Sequence, residues 1–367
     1  MNNFPLLKNW IDLVSRYSDK VKDFLPAEKS SYSVGLDIGT SSVKLVQIQK
    51  DGRDFKISGF GIEPIKGNKE EAVRKVLAAS NISAKKVNIS VSGQGVILRY
   101  IQTPKLSLDD LKASIAFESD KYIPFPMEEV NTDCYIIRDL PQESKMLVLV
   151  AAVKKDLIEQ RISLLEKLGL IPEVVSIDSV ALANVFNVFC NTKVPVLSKD
   201  HSGKVCQTVG LLNIGGTFSS LNILDRGLPF FTRDIFIGGE DVTKRLVNQL
   251  GIDEVTADKM KSSEDADENK IIGSCENILS NLATEIRFSF DYFETENNLP
   301  ISLLYVTGGG SYLKGINTYL QQNLGIEVKT WDPLSGLEAG PGISAEDLKK
   351  QANKMGIAIG LALYQND

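Results

Sequence analysis

Histidine is nearly missing from this sequence of 367 residues: His201 is the only one, and it sits in a polar stretch. A histidine-based metal site or a Ser-His-Asp triad is thereby excluded. Cysteine is scarce as well. Cys134, Cys190, Cys206 and Cys275 lie far apart with no Cys-x-x-Cys spacing, which argues against zinc and fits a reducing compartment. No apolar run approaches the roughly 20 residues of a spanning helix. Charged residues interrupt every apolar stretch before Ala27, unlike a secretory signal. The chain is therefore expected to stay in the cytoplasm and not to be an integral membrane protein. Excess positive charge is also lacking: 41 Lys and Arg against 47 Asp and Glu leave a net charge of −6, with no electrostatic reason to expect nucleic-acid binding. The length exceeds the ~250–300 residues over which one core usually grows, so two lobes are expected.

What is present centres on Val34-Gly-Leu-Asp37-Ile-Gly39-Thr40-Ser41-Ser42-Val-Lys44-Leu-Val46. A β-branched strand runs into an acid, turns over small hydroxyl residues and leaves as a second strand. Gly39 lets the backbone approach a ligand with no Cβ in the way. The amides of Thr40, Ser41 and Ser42 can then form an anion-binding nest. Asp37 is placed to hold a hydrated Mg²⁺ through water, and Lys44 can reach back as a point charge. Hydrogen bonds to charged groups contribute roughly 1.5–3 kcal/mol each, so three or four reach about 8 kcal/mol, a micromolar affinity. Taken alone, an ordinary hairpin with a polar turn accounts for the stretch equally well.

A second copy shifts that balance. Val209-Gly-Leu-Leu-Asn213-Ile-Gly215-Gly216-Thr217-Phe-Ser-Ser220 repeats the pattern, with Asn213-Ile-Gly215 aligned on Asp37-Ile-Gly39. Two such elements, one per half, point to a duplicated α/β architecture gripping a nucleotide between its halves. Leu304-Tyr-Val-Thr307-Gly308-Gly309-Gly310-Ser311 adds a strand, a glycine turn and a helix where close backbone approach suits a nucleoside or phosphate.

In this order the three stretches resemble the phosphate-1, phosphate-2 and adenosine motifs of the actin/Hsp70/sugar-kinase superfamily. Ile123-Pro-Phe125-Pro126 after Phe117-Glu-Ser-Asp-Lys-Tyr122, and Glu285-Ile-Arg287-Phe-Ser-Phe-Asp291-Tyr292, are similar to the PilM (competence protein A) family of type IV pilus assembly proteins, relatives of FtsA. The resemblance runs from about Ser33 to Tyr364. It implies an actin-like ATPase fold of two duplicated lobes with an FtsA/PilM-type 1C insert. The expected division is an N-terminal amphipathic helix over 1–30, a first lobe of 31–95 and 172–207, an insert of 96–171, and a second lobe of 208–367 that includes a C-terminal connecting helix. Its implied ligands are ATP and Mg²⁺. The implied partner is the cytoplasmic N-terminus of a PilN-like inner-membrane protein, held between first lobe and insert, with a pilus motor ATPase complex beyond it. Membrane association would be peripheral, through those partners at the inner membrane.

Along the chain, Phe4 to Leu25 carries an apolar stripe of Leu7, Trp10, Val14, Tyr17, Val21 and Leu25, read either as a helix for a membrane surface or partner or as one docked on the protein itself. Ser107 reads as the N-cap of a helix reaching about Tyr122. The two prolines stiffen Ile123 and Phe125, which either pack under the insert or line a groove for a partner peptide. Asp178 opens a connecting helix; it could orient a water, but as the cap of that helix it needs no such role, and it reads as the cap. Ala181 and Ala183 let that helix cross another closely, and Lys354 to Tyr364, with small residues on one face, resembles the second connecting motif. Asn191 to Gln207 reads as a polar surface connection. Gly238 and Gly239 open a helix whose N-terminus is expected to face the nucleotide, with Lys244 on it. Ser262 to Lys270 reads as a solvated loop, followed by a helix from Ile271 to about Phe293 on which Arg287 is a candidate adenine-side contact.

Asn213 stands where the superfamily has Asp. An amide accepts a hydrogen bond from a cation-bound water but carries no charge and is a poor base, so no catalytic residue is assigned and ATP is expected to be hydrolysed slowly or not at all. Only three residues follow Tyr364, which weakens an FtsA-like filament role. A small-molecule kinase would need a catalytic carboxylate that the sequence does not display.

Overall fold

Val34, Leu36 and Ile38 alternate with Ser33, Gly35 and Asp37 along β1 (Tyr32–Ile38), and every residue from Ser33 onward is buried, as in a strand covered on both faces. The computed structural model describes residues 32–51, 54–80, 82–140, 144–189, 208–263 and 265–364. The stripe of Phe4 to Leu25, the connection of Asn191 to Gln207, His201, Cys190 and Cys206 lie outside the described residues.

In the first half, β1 is followed by β2 (Ser42–Asp51), β3 (Asp54–Pro64), α1 (Lys69–Ser80) and β4 (Lys86–Val91). Then come β5 (Val96–Pro104), α2 (Leu108–Phe117), α3 (Ser119–Tyr122), β6 (Val130–Leu140), β7 (Lys145–Lys154), α4 (Lys155–Lys167), β8 (Ile171–Ile177) and α5 (Asp178–Phe189). The second half holds β9 (Thr208–Ile214), β10 (Ser219–Asp225), β11 (Leu228–Ile235), α6 (Gly239–Leu250), α7 (Glu254–Lys261), α8 (Glu268–Asn297) and β12 (Leu303–Thr307). It closes with α9 (Ile316–Leu324), β13 (Glu327–Thr330), β14 (Glu338–Ala339), α10 (Ala345–Gln351) and α11 (Gly356–Ala362).

The duplication is visible in the sheets. One has the order β14-β3-β2-β1-β4-β8 and the other β11-β10-β9-β12-β13. In each, an antiparallel meander of three strands is extended by two parallel strands, β1 with β4 and β9 with β12. The second half also returns two pieces to the first: β14 pairs with β3, and α11 packs on β1 and α5.

The insert is a third sheet, β5-β7-β6. Along β7, Met146, Val148 and Val150 face Leu111 and Ile115 of α2, while Leu147, Leu149, Ala151 and Val153 join the main core. Ser107 caps α2 as expected, its Oγ accepting from the Asp110 amide. The helix does not reach Tyr122 unbroken, however. It stops at Glu118, and the short α3 that follows turns Ile123 inward to 4% exposure. α4 leaves the insert to lie on the first lobe, where the Lys167 carbonyl accepts from Arg74 Nη2 at 3.2 Å.

One further reading is corrected, and one helix is added. Ser262 to Lys270 is not loop throughout: Asp267 caps α8, which begins at Glu268, its side chain accepting from the Lys270 amide. α7 goes unannounced in the apolar pattern because Ala257 is its one buried residue; Asp253 caps it.

The lobes are joined where α5 and α11 cross. A Cβ on Gly360 would stand 1.9 Å from the Ala181 carbonyl oxygen, so the two backbones touch with no side chain between them. Gly35 of β1 is similarly closed, 2.0 Å from the Ala358 carbonyl. Asn88 Nδ2 donates to the Leu361 and Tyr364 carbonyls at 2.9 and 3.0 Å, satisfying the end of α11.

A Gly360→Ala variant is therefore expected to lose about 1–3 kcal/mol of stability by overpacking. Gly273→Ala, whose Cβ meets open space within α8, should gain about 0.5–1 kcal/mol. Urea unfolding midpoints of the two variants check both signs.

Candidate nucleotide site between the lobes

The β1–β2 register sets Asp37 opposite Lys44, and their side chains pair at 3.1 Å with little solvent exposure. The Gly39 amide donates to the Ser42 carbonyl at 3.1 Å and closes the turn. A Cβ on Gly39 would come within 3.0 Å of Lys44 Nζ, so the lysine lies back over the turn as the sequence suggests. Thr40 and Ser41 stand exposed at the tip.

The second turn repeats this construction, its Gly215 amide donating to the Phe218 carbonyl at 3.0 Å. The two turns meet tip to tip. A Cβ on Gly216 would lie 2.6 Å from Thr40 Oγ1, 3.0 Å from Ser41 Oγ and 3.1 Å from Glu240 Oε1. Thr217 is exposed beside it, and Asn213 is half-buried at the strand end.

The glycine run is used mostly from within. Gly308 has φ of 86°, and a Cβ there would sit 2.4 Å from Asn213 Oδ1; one on Gly310 would be 2.1 Å from Ile214 Cγ2. These two glycines let β12 wrap the strand carrying Asn213. Gly309 alone of the three faces open space, which leaves it as the one suited to a nucleoside.

Gly238 and Gly239 do not offer free amides as expected. The Gly238 amide donates to Asp241 Oδ2, and those of Gly239 and Glu240 donate at 2.9 Å to the Gly215 and Gly216 carbonyls. The helix start braces the second turn instead of facing a ligand. Lys244 is exposed on that helix. The cations that converge with Lys44 come from elsewhere. Lys261 Nζ donates to the Gly239 carbonyl at 3.1 Å and to Thr243 Oγ1 at 2.6 Å. Burial draws Lys354 below the usual lysine range; Asp258 opposes this, and the charges of Lys44 and Lys261 reinforce it. Three lysines close enough to repel one another form a setting that an anion stabilises. No motif flagged Lys261 or Lys354, because each lies far along the chain from the turns.

Asp178 is not merely a cap. Its pKa is pushed up to about 6, first by burial and then by the charge of Asp37, against hydrogen bonds from Ser90 and Ser92 and the pull of Arg161. The structure thus places a buried carboxylate near the first turn, at a position where the sequence favours a helix cap over a water-orienting group. Arg287 proves structural: its Nη2 donates to the Asn323 carbonyl at 3.1 Å and to that of Leu324, capping α9.

A cavity of 340 Å³ opens beside Asp178, walled by Val96, Ile97 and Leu98 of β5 and by Asp234 and Phe236 across from them. Ile123 does not line a groove; it packs against Val130 and Ala152 under the insert, with Phe125 half-buried and Lys154 Nζ 4.8 Å from its ring centre. Among the described residues, no cluster of three or more His, Cys, Asp or Glu side chains could hold a metal unaided. The arrangement suits a polyphosphate that brings its own Mg²⁺, an ion that keeps most of its waters and needs one or two carboxylates such as Asp37. No helix of the described residues is long and apolar enough to cross a membrane.

The family described as type IV pilus assembly protein PilM matches residues 35–366. A solved PilM-PilN type IV pilus biogenesis complex aligns at a TM-score of 0.78 with 24% identity, over 92% of this chain and 98% of that one. The ethanolamine utilization protein EutJ from Carboxydothermus hydrogenoformans aligns at 0.51 with 14% identity, over 94% and 93% of the two chains. The likeness bears out the actin-like ATPase fold expected from the ordered motifs.

A carboxyl whose pKa is raised on folding stabilises fully below its unfolded value, near 3.8, and loses that contribution as pH rises through about 6. Asp178→Asn, which cannot ionise, should therefore be more stable than the parent above pH 7 by about 2–3 kcal/mol. The gap should close near pH 4. Urea unfolding across that range measures it.

Proposed function

We propose, from the premise that the chain belongs to the type IV pilus assembly protein PilM family, that it is an ATP-binding scaffold of a pilus assembly platform that docks the cytoplasmic N-terminus of a PilN-like inner-membrane protein. The observation that carries the nucleotide reading is the meeting of Gly216 with Thr40 and Ser41, with Lys44 lying over the first turn, Lys261 bonded at the helix that braces the second, and Lys354 within the influence of both. Phosphates entering between the turns would bind Thr40, Ser41, Ser42 and Thr217, and offset the repulsion among the lysines. Asp37, and Asn213 through water, would face the accompanying Mg²⁺. Gly309 leaves room for the nucleoside.

Hydrolysis would be slow or absent, since the neutral Asn213 is a weak partner for a metal-bound water. The solved relative is a PilM-PilN type IV pilus biogenesis complex. Here the cavity between β5 and the lobes is the site we assign to the PilN-like peptide, its Val96, Ile97 and Leu98 meeting apolar side chains and its carboxylates a basic group. Such a partner would hold the protein at the inner membrane and within reach of a pilus motor ATPase complex. A second reading, phosphoryl transfer to a small acceptor in the cavity, draws support from Asp178, a carboxylate of raised pKa at its wall.

Titration calorimetry is expected to give micromolar ATP·Mg²⁺ affinity, weakened more than about tenfold by Gly216→Val, which drives methyls into Thr40. Absence of binding in the parent would overturn the reading. Asn213→Asp should raise phosphate release several-fold, and an unchanged rate would count against the assigned role of the amide. Peptides matching PilN N-termini should be retained by the protein, whereas ATP turnover dependent on an added metabolite would favour the kinase reading.

A further inference from the structure

The insert is tied to the first lobe by the chain itself, at Gly95 and again through α4, but it meets the second lobe through side chains. Tyr100 of β5 shares a hydrogen bond of 3.0 Å with Thr232 of β11. The Thr232 hydroxyl donates at 2.8 Å to Asn222 Oδ1 of β10, so its one proton is spent and Tyr100 is the donor between them. On β6, Arg138 Nη1 pairs with Asp225 Oδ2 at 3.2 Å, and its guanidinium lies 4.4 Å above the Phe230 ring. The other oxygen of Asp225 accepts from Thr208 Oγ1 at 3.3 Å.

Beside the apolar side chains that the insert shares with the main core, this seam carries polar groups that are incompletely bonded: Arg138 Nε and Asn222 Nδ2 are buried without partners. Such a contact is far easier to part than the apolar packing of β7 on α2. Its second-lobe side sits on the strands that form the second turn. Ser220 is the register partner of Asn213, Asn222 follows two residues on, and Asp225 pairs with Thr208 at the opposite end of the same hairpin. Thr232 also lines the cavity that β5 walls.

We propose that the Tyr100–Thr232–Asn222 and Arg138–Asp225 contacts form a latch that makes the insert follow the second turn, so that nucleotide between the lobes sets the width of the cavity beside β5. The latch rests on the nucleotide site proposed above. A ligand moves such an equilibrium only by binding the latched and unlatched states unequally, and the latch supplies that inequality by shifting with the β9–β10 hairpin.

Hydrogen exchange on the full chain, with and without ATP·Mg²⁺, tests it. In the parent, nucleotide should slow exchange in Ser219–Ile235 and also, about tenfold, in the insert strand Val96–Pro104. In Tyr100→Phe combined with Arg138→Met, and in the milder Tyr100→Phe alone, ATP should still bind and protect Ser219–Ile235, but protection of Val96–Pro104 should drop by more than half. Equal protection of the insert in parent and variants, or its absence in a parent that binds ATP, would overturn the latch alone. A parent that binds no ATP would overturn the nucleotide reading and the latch with it.

Discussion

Everything about the two-lobed arrangement depends on one close approach, the passage of Gly360 over the Ala181 carbonyl with no side chain intervening. Backbone contact fixes the spacing of the two helices and makes the crossing a pivot, flanked by side chains such as Leu182, which packs onto Gly356. That pivot lies in the apolar cluster containing Val46, Leu182, Phe186, Ile359 and Leu361. The two candidate phosphate turns lie at strand ends outside it, so a modest rotation at the crossing becomes a change of separation at the tips of the turns.

The site itself is governed by charge. Asp37 is paired with Lys44, Lys261 with Asp258, and Lys354 is held below its normal basicity. A cluster with so many cations inside limited solvent is costly when vacant and favourable around a polyanion. Asp178 shows the reverse on the first-lobe side, where burial first and then the charge of Asp37 raise its proton affinity.

Much of the fold was legible because duplication leaves local marks: two strand-turn-strand stretches and a glycine run in fixed order. The small-residue faces of α5 and α11 were equally readable, being demands of nearest neighbours. What escaped was set by distance along the chain. Lys261 and Lys354 reach the turns only because α7 and the segment before α11 fold over them. Asp178 looks like a helix cap until Ser90, Ser92 and Asp37 surround it. Gly238 and Gly239 carry the expected pattern for an anion site, yet their amides serve the turn carbonyls. Ile123 was readable as presented or packed, and only the break at Glu118 decided for packing.

The bond from Ser33 Oγ to the Tyr364 carbonyl, 2.8 Å long, joins residues 331 positions apart. β1, the first described strand, has Gly35 pressed against Ala358 and Ala362 of α11, an element far along the chain from it. Loop closure over such a span comes late in folding. During translation the side of β1 that faces α11 thus waits uncovered until that helix has been made, and a chain interrupted before Gly356 is left with an open, aggregation-prone core.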